Sequence, residues 1–217
     1  MIPFYFFSFY YLIMQYEEIM QRLVNERQDI LSYMFCLFIP SISVRYSEAE
    51  KRYARERYIP VKKEIWVPRG DIHTGFITDL VNEHIALDEE AIGLTSLVRL
   101  NDGTERHLGL IDFCCEKSEE GLDIVRMALN GIDMRFGFII DSGNSYHFIG
   151  TQPYFFERYM DLLRKMRDFE SIGEDWPNCQ ISQGYSDLRV TACPKRGKFH
   201  VPRLVEHIED TQLTFRF

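Results

Sequence analysis

The stretch FIIDSGNSYHFIG, residues 138–150, decides the fold. It reads as two short strands joined at Gly143-Asn144, residue types that supply the positive φ of a two-residue hairpin. Successive side chains along a strand point to opposite faces. In this register Ile139, Tyr146 and Phe148 share one face, while Ser142, Ser145 and His147 share the other. The apolar face belongs against a core. The polar face then lines an exposed side of the sheet, where it is free for chemistry.

Working outward from the hairpin, LGLIDFCC (108–115) reads as a strand. KSEEGLDIVRMALNGI (117–132) reads as a helix, with Ser118 as N-cap and Gly131 near its end. QPYFFERYMDLLRKMRDF (152–169) is a helix opened by Pro153, and SDLRVTAC (186–193) is a last strand. The order β-α-β-β-α-β predicts an α+β, RRM-like (ferredoxin-like) module. Its sheet is antiparallel, ordered 4-1-3-2, with both helices on one face. Ile111, Phe113 and Cys115 then face the helices, and Leu110, Asp112 and Cys114 face away.

That topology brings distant polar residues together. Asp112 lies beside His147, and Asp187 flanks Asp112 from the last strand. Adjacent carboxylates repel unless a cation lies between them, and Mg²⁺ or Mn²⁺ suits oxygen ligands. Such an ion can bridge phosphate oxygens in phosphoryl transfer. The segment after Asp187 carries Arg189, Lys195, Arg196, Lys198 and Arg203 and no acid, which suits a triphosphate or a nucleic-acid backbone. Asp141 is a rival to Asp112, but its expected face points toward the helices or the strand end. Cys114 and Cys115 read as core thiols.

The rest of the chain supplies an N-terminal α/β module over 15–107, beside the RRM-like module over 108–217. Residues 15–35 place Ile19, Leu23, Ile30 and Leu31 at helical spacing. Residues 47–58 form a second, highly charged helix. KKEIWVPRGD reads as a strand stopped by Pro68 and Gly70, and NDGT (101–104) as the turn of a hairpin. The apolar extension 1–14 is too short to span a bilayer and lacks the charged start of a signal peptide. It reads as a buried strand, an interfacial anchor or a segment upstream of a true start at Met14. The net charge of −8 argues against a whole-surface polyanion binder. The five cysteines include no C-x-x-C pair, so the chain is expected to be cytoplasmic, with reduced thiols and no stable membrane association.

A carboxylate strand (LIDFCCE), then SGNSYH on a hairpin, then a late aspartate on a strand (SDLRVT) resembles the archaeo-eukaryotic primase superfamily. The resemblance covers residues 95–205. It implies a metal-dependent nucleotidyltransferase that adds NTP or dNTP to a nucleic-acid 3′-hydroxyl. Asp112 and Asp187 would hold Mg²⁺ or Mn²⁺, with His147 completing the catalytic set. Ser142, His147, Arg189 and Lys195 would contact the incoming nucleotide. Partners implied are a DNA or RNA template and a separate helicase, nuclease or accessory chain. One departure matters: the family's first motif carries two acids, D-x-D, and here reads Asp112-Phe113-Cys114. Glu116 is the nearest substitute ligand; without it the site is degenerate.

The alternative is a non-catalytic RRM-like module that binds nucleic acid or protein. Such modules stack bases on aromatics of the open sheet face. Here that face holds Asp112 and His147, while Phe113 and Phe148 point inward. A small-ligand regulatory domain is a third class, and it has no need of convergent acids and a basic stretch.

Overall fold

A computed structural model describes residues 16–40, 63–193, 198 and 200–209. The described elements in chain order are α1 (residues 16–26), β1 (Ile30–Phe38), β2 (Lys63–Pro68), α2 (Phe76–His84), β3 (Ala91–Leu100) and β4 (Glu105–Asp112). Then come α3 (Glu119–Ile132), β5 (Gly137–Asp141), β6 (Tyr146–Tyr154), α4 (Phe156–Met166), α5 (Asp175–Gln183), β7 (Asp187–Arg189) and β8 (Arg203–Ile208). The strands form one antiparallel sheet, ordered β2-β1-β3-β4-β6-β5-β8, with β7 paired to β3 off this path. The class is α+β.

The hairpin forms in the expected register, with Ile139 opposite Phe148 and Asp141 opposite Tyr146. Its turn closes with the Ser142 N–H donating to the Ser145 carbonyl at 3.0 Å, and Gly143 takes φ 111°. Ile111, Ile139, Tyr146 and Phe148 are buried with Val125, Leu129 and Ile132 of α3 and with Tyr159 and Leu163 of α4. The predicted inner face is therefore the observed one.

The other face differs from expectation. Leu108, Leu110, Ile140 and Ile149 lie in a second core with Tyr16, Ile19 and Leu23 of α1 and Phe76, Ile77 and Leu80 of α2. Helices α1 and α2 carry apolar stripes that need a partner, and burial of each large side chain is worth about 1.5–3 kcal/mol. They take the sheet face that an isolated RRM-like module would leave open. Polar residues survive only at its margin.

The last strand also departs from the 4-1-3-2 expectation. Strand β3 is antiparallel both to β4 (Leu97 opposite His107) and to β7 (Thr95 opposite Asp187). Strand β7 therefore runs in the same direction as β4, where the RRM-like arrangement requires the opposite direction. Strand β4 leaves β3 beyond His107, and β7 takes the vacated edge.

Local signals explain most element ends. Ser118 caps α3, its Oγ accepting from the Gly121 N–H at 3.0 Å. That helix ends with Asp133 in the left-handed region, beyond Gly131. The N-terminus of α2 has no cap of its own; Glu17 of α1 accepts from the Gly75 and Ile77 N–H groups at 2.8 and 3.2 Å. Pro153 stays in β6, opposite Leu108, and α4 starts only at Phe156. The first helix stops at residue 26, because ILSYMFCLF is strand β1, buried almost throughout. The apolar extension 1–14 and the charged helix expected at 47–58 lie outside the described residues. Among those described, no helix is long and apolar enough to cross a membrane.

Candidate functional site

The apolar run of β4 ends at Asp112, and its register sets Asp112 opposite His147 of β6. The His147 Nε2 lies 3.3 Å from the Asp112 Oδ1. His147 is buried, yet 45% of the Asp112 side chain stays exposed. The histidine is fixed by the sheet and the acid keeps an open side.

Beyond Asp112 the chain turns away. The Phe113 N–H still reaches the Tyr146 carbonyl at 2.9 Å, but the Cys114 N–H donates to the Ser171 carbonyl at 2.7 Å. The Cys114 thiol donates to the Glu170 carbonyl at 3.3 Å. Cys114 is exposed and is not the core thiol the sequence suggests, while Cys115 is half-buried at the edge of the α3 and α4 core. The strand ends before it can return residue 114 to the sheet face. Glu116 is exposed in the following loop, its backbone carbonyl packed over the first turn of α3 beside Gly121.

Asp187 opens β7 at the seam between β4 and β3. Its N–H donates to the Gln180 Oε1 at 3.1 Å, and its carboxyl accepts from the Gln183 Nε2 at 3.1 Å. Burial pushes that carboxyl above its ordinary value; the Gln183 bond opposes this, and the Asp112 charge adds to it. The two acids thus act on each other, though by a different route from the one predicted. Leu188 lies in the core with Leu110, and β7 pairs with β3 and not with β4. The two acids therefore couple across the seam between β7 and β4 and not along one ladder.

The cations divide into two roles. Arg189 donates to the carbonyls of Ser142 (3.2 Å), His200 (2.7 Å) and Thr191. Burial lowers its guanidinium to about 10, against the attraction of Asp112, so it stays charged at neutral pH. Lys198 pairs across a bridge with Cys193. Burial and the Arg189 charge both lower its ammonium, while Asp112 opposes them. Lys198 was one member of a basic run in the sequence, and only the fold shows that it shares the field of Asp112. Lys195 lies outside the described residues. Arg203 is committed elsewhere: with Lys117 it grips Asp141, each at 2.9 Å.

Ser142 offers its carbonyl to Arg189, and Ser145 lies 3.9 Å from the Cys115 Sγ. A buried network anchors the residue before Asp187. The Tyr159 hydroxyl donates to the Ser186 Oγ, and the Ser186 N–H donates to the Ser96 Oγ at 3.0 Å. Ser96 also meets the His107 Nδ1 at 3.1 Å, and the His107 ring stacks on Tyr159 at 4.3 Å. Burial lowers His107 to about 4, which keeps it neutral. Helix α5, with Gln180 and Gln183, was not legible in the sequence.

A divalent cation of the Mg²⁺ type asks for several oxygen ligands. Among the described residues, no three His, Cys, Asp or Glu side chains are grouped closely enough to hold a metal ion by themselves. Two coupled carboxylates remain, with the second acid of a D-x-D pair replaced by a cysteine turned toward another loop. Mg²⁺-type sites commonly use one or two carboxylates and take their other ligands from water and substrate phosphates. The residues present therefore fit one such ion and not two.

A family model described as AEP-like, archaeo-eukaryotic primase 1D-like, matches residues 77–202, more than half of the chain. No curated protein and no solved structure matches it. The matched span runs from α2 to the residue before β8, and includes Asp112, the Ser142–His147 hairpin and Asp187. The chain belongs to the archaeo-eukaryotic primase superfamily.

Proposed function

We propose that this primase-like domain is a nucleotidyltransferase that joins NTP or dNTP to a nucleic-acid 3′-hydroxyl with the help of one Mg²⁺ or Mn²⁺. The observation that carries the reading is Asp112, half-exposed against buried His147 and within the field of Asp187, Arg189 and Lys198. An open acid amid fixed cations suits a ligand that is itself anionic and brings a cation with it.

Asp112 and Asp187 would hold the ion, which when bound offsets phosphate charge in an in-line displacement. The protein's own groups do the rest. His147, locked by the sheet, presents its ring to the incoming phosphates beside Asp112. Arg189 is held rigid by three backbone carbonyls and acts as a fixed positive charge. Lys198 completes the cationic side, with Ser142 at the hairpin tip. Cys114 in place of the second acid predicts slow chemistry relative to binding.

Calorimetry of Mn²⁺-dependent nucleoside triphosphate binding tests this reading, comparing the wild type with Asp112→Ala. Binding that needs Mn²⁺ and is weakened at least about tenfold in the variant supports it. Metal-independent binding, or equal binding by both proteins, removes Asp112 from the site and promotes a non-catalytic module.

A further inference from the structure

At the other end of the β4–β6 pair, the sequence PYFFER leaves two adjacent phenylalanines in water. Phe155 is 62% exposed and Phe156 51% exposed. Single exposed apolar residues are ordinary, but neighbouring aromatics at one spot call for a reason. Helix stability does not supply one. Phe155 stands at the N-cap of α4 and makes no side-chain cap, where Ser or Asp is preferred. Two arginines lie beside them. The Arg106 guanidinium lies 3.7 Å from the Phe155 ring centroid, and Arg158 is exposed one turn further on. Among the described residues, neither arginine makes an ion pair with a carboxylate, whereas Arg99 and Arg164 do. Glu157 is the only acid in the segment.

We infer that Phe155 and Phe156, with Arg106 and Arg158, form a stacking platform for single-stranded nucleic acid. Bases stack on exposed aromatic rings whatever their sequence, and arginines beside the rings meet the phosphates. Arg106 covers one part of the Phe155 ring and leaves the rest free, so a base can extend the stack. A protein partner would be served by aliphatic neighbours; the flanking groups here are guanidiniums with no carboxylate partner among the described residues, which complement a polyanion. The location fits as well. His107 lies opposite Tyr154, and Asp112 lies opposite His147 on the same two strands. Arg106 is six residues from Asp112 along β4, or roughly 20 Å. This deepens the proposed function by naming where the template or primer strand is gripped, and it rests on the chain acting on nucleic acid.

Fluorescence anisotropy with a labelled oligothymidine of about twelve nucleotides tests it, without metal or nucleoside triphosphate. The proteins are the wild type, Phe155→Ala/Phe156→Ala, Arg106→Ala and Leu87→Ala, whose leucine is comparably exposed elsewhere. The double phenylalanine variant should bind at least about tenfold more weakly at every salt concentration, with unchanged thermal unfolding. Arg106→Ala should weaken binding and flatten its salt dependence, and Leu87→Ala should match the wild type. Equal binding by the wild type and the double variant overturns the platform. So does a wild type that fails to bind, or that self-associates through these residues instead. Because metal and nucleotide are absent, failure of the Asp112 site leaves this result unaffected, and the reverse also holds.

Discussion

Two aspartates end the two strands that flank β6, and they live differently. Asp141 closes β5 opposite Tyr146, and Asp112 closes β4 opposite the next residue, His147. Asp141 is buried and saturated: Lys117, Arg203 and the Gly143 N–H all reach it. Asp112 is half-exposed and has one close partner. A buried carboxylate held by three donors fastens a fold together, whereas a half-exposed one with acceptors to spare can take a ligand. Sequence alternation preferred Asp112 as the open acid but could not show what occupies Asp141, because its cations come from a loop and from the C-terminal segment.

Removing the carboxylate makes the contrast measurable. Asp141→Ala strands two cations and frees the hairpin tip. Because Lys117 and Arg203 are about half exposed, the loss is less than for a wholly buried pair. We expect about 2 kcal/mol, or roughly 4–8 °C in Tm for a chain of this size. Asp112→Ala should change Tm by no more than about 2 °C. The pH dependence follows from the sign of the shift. Burial pushes the Asp141 carboxyl up, but the bonds from Lys117, Gly143 and Arg203 outweigh it and hold it below 3.8. Its contribution is therefore present above that value and is lost as pH falls through the lower one. The Tm gap between the wild type and Asp141→Ala should close on acidification. A gap that persists at the lowest pH means the aspartate acts by packing and not by charge.

A smaller effect tests the seam between the two halves of the sheet. Tyr159→Phe removes one hydroxyl from the buried network that ties α4 to Ser186, and leaves the ring stacked on His107. The cost should be about 1–1.5 kcal/mol by chemical denaturation, with the slope unchanged. A loss below about 0.3 kcal/mol would show that the network is incidental.

The sequence was most legible where a local rule acts. The Gly143 turn, the Ser118 cap, the hairpin over 91–112 and the inward face of Ile111, Ile139 and Phe148 all follow from short-range chemistry. It was least legible where packing overrides the local signal. ILSYMFCLF continues the apolar spacing of the preceding helix, and only its place between β2 and β3 makes it a strand. The strand that carries Asp187 was expected but placed in the wrong ladder. Nothing within SDLRVT says that it will pair with Thr95 of β3 and run alongside β4. Lys198 could not be told from its basic neighbours, because its significance is its distance from Asp112.

Asp187 offers the finest test of the comparison, because its sign is opposite to that of Asp141. Its carboxyl is raised, first by burial and then by the charge of Asp112. A carboxyl raised in the fold contributes stability below its ordinary value of 3.8, and that contribution is lost as pH rises through the raised value. At neutral pH the ionised group therefore opposes folding, and a neutral isostere should relieve it. Asp187→Asn keeps an oxygen for the Gln183 amide and should raise Tm slightly, by about 1–2 °C, in the metal-free protein. If Asp187 holds the ion, Mn²⁺ should raise the Tm of the wild type and not that of this variant, since a cation stabilises the fold only by binding it. A variant that is less stable without metal makes Asp187 a structural acid like Asp141. One that still responds to Mn²⁺ as the wild type does places the ion elsewhere.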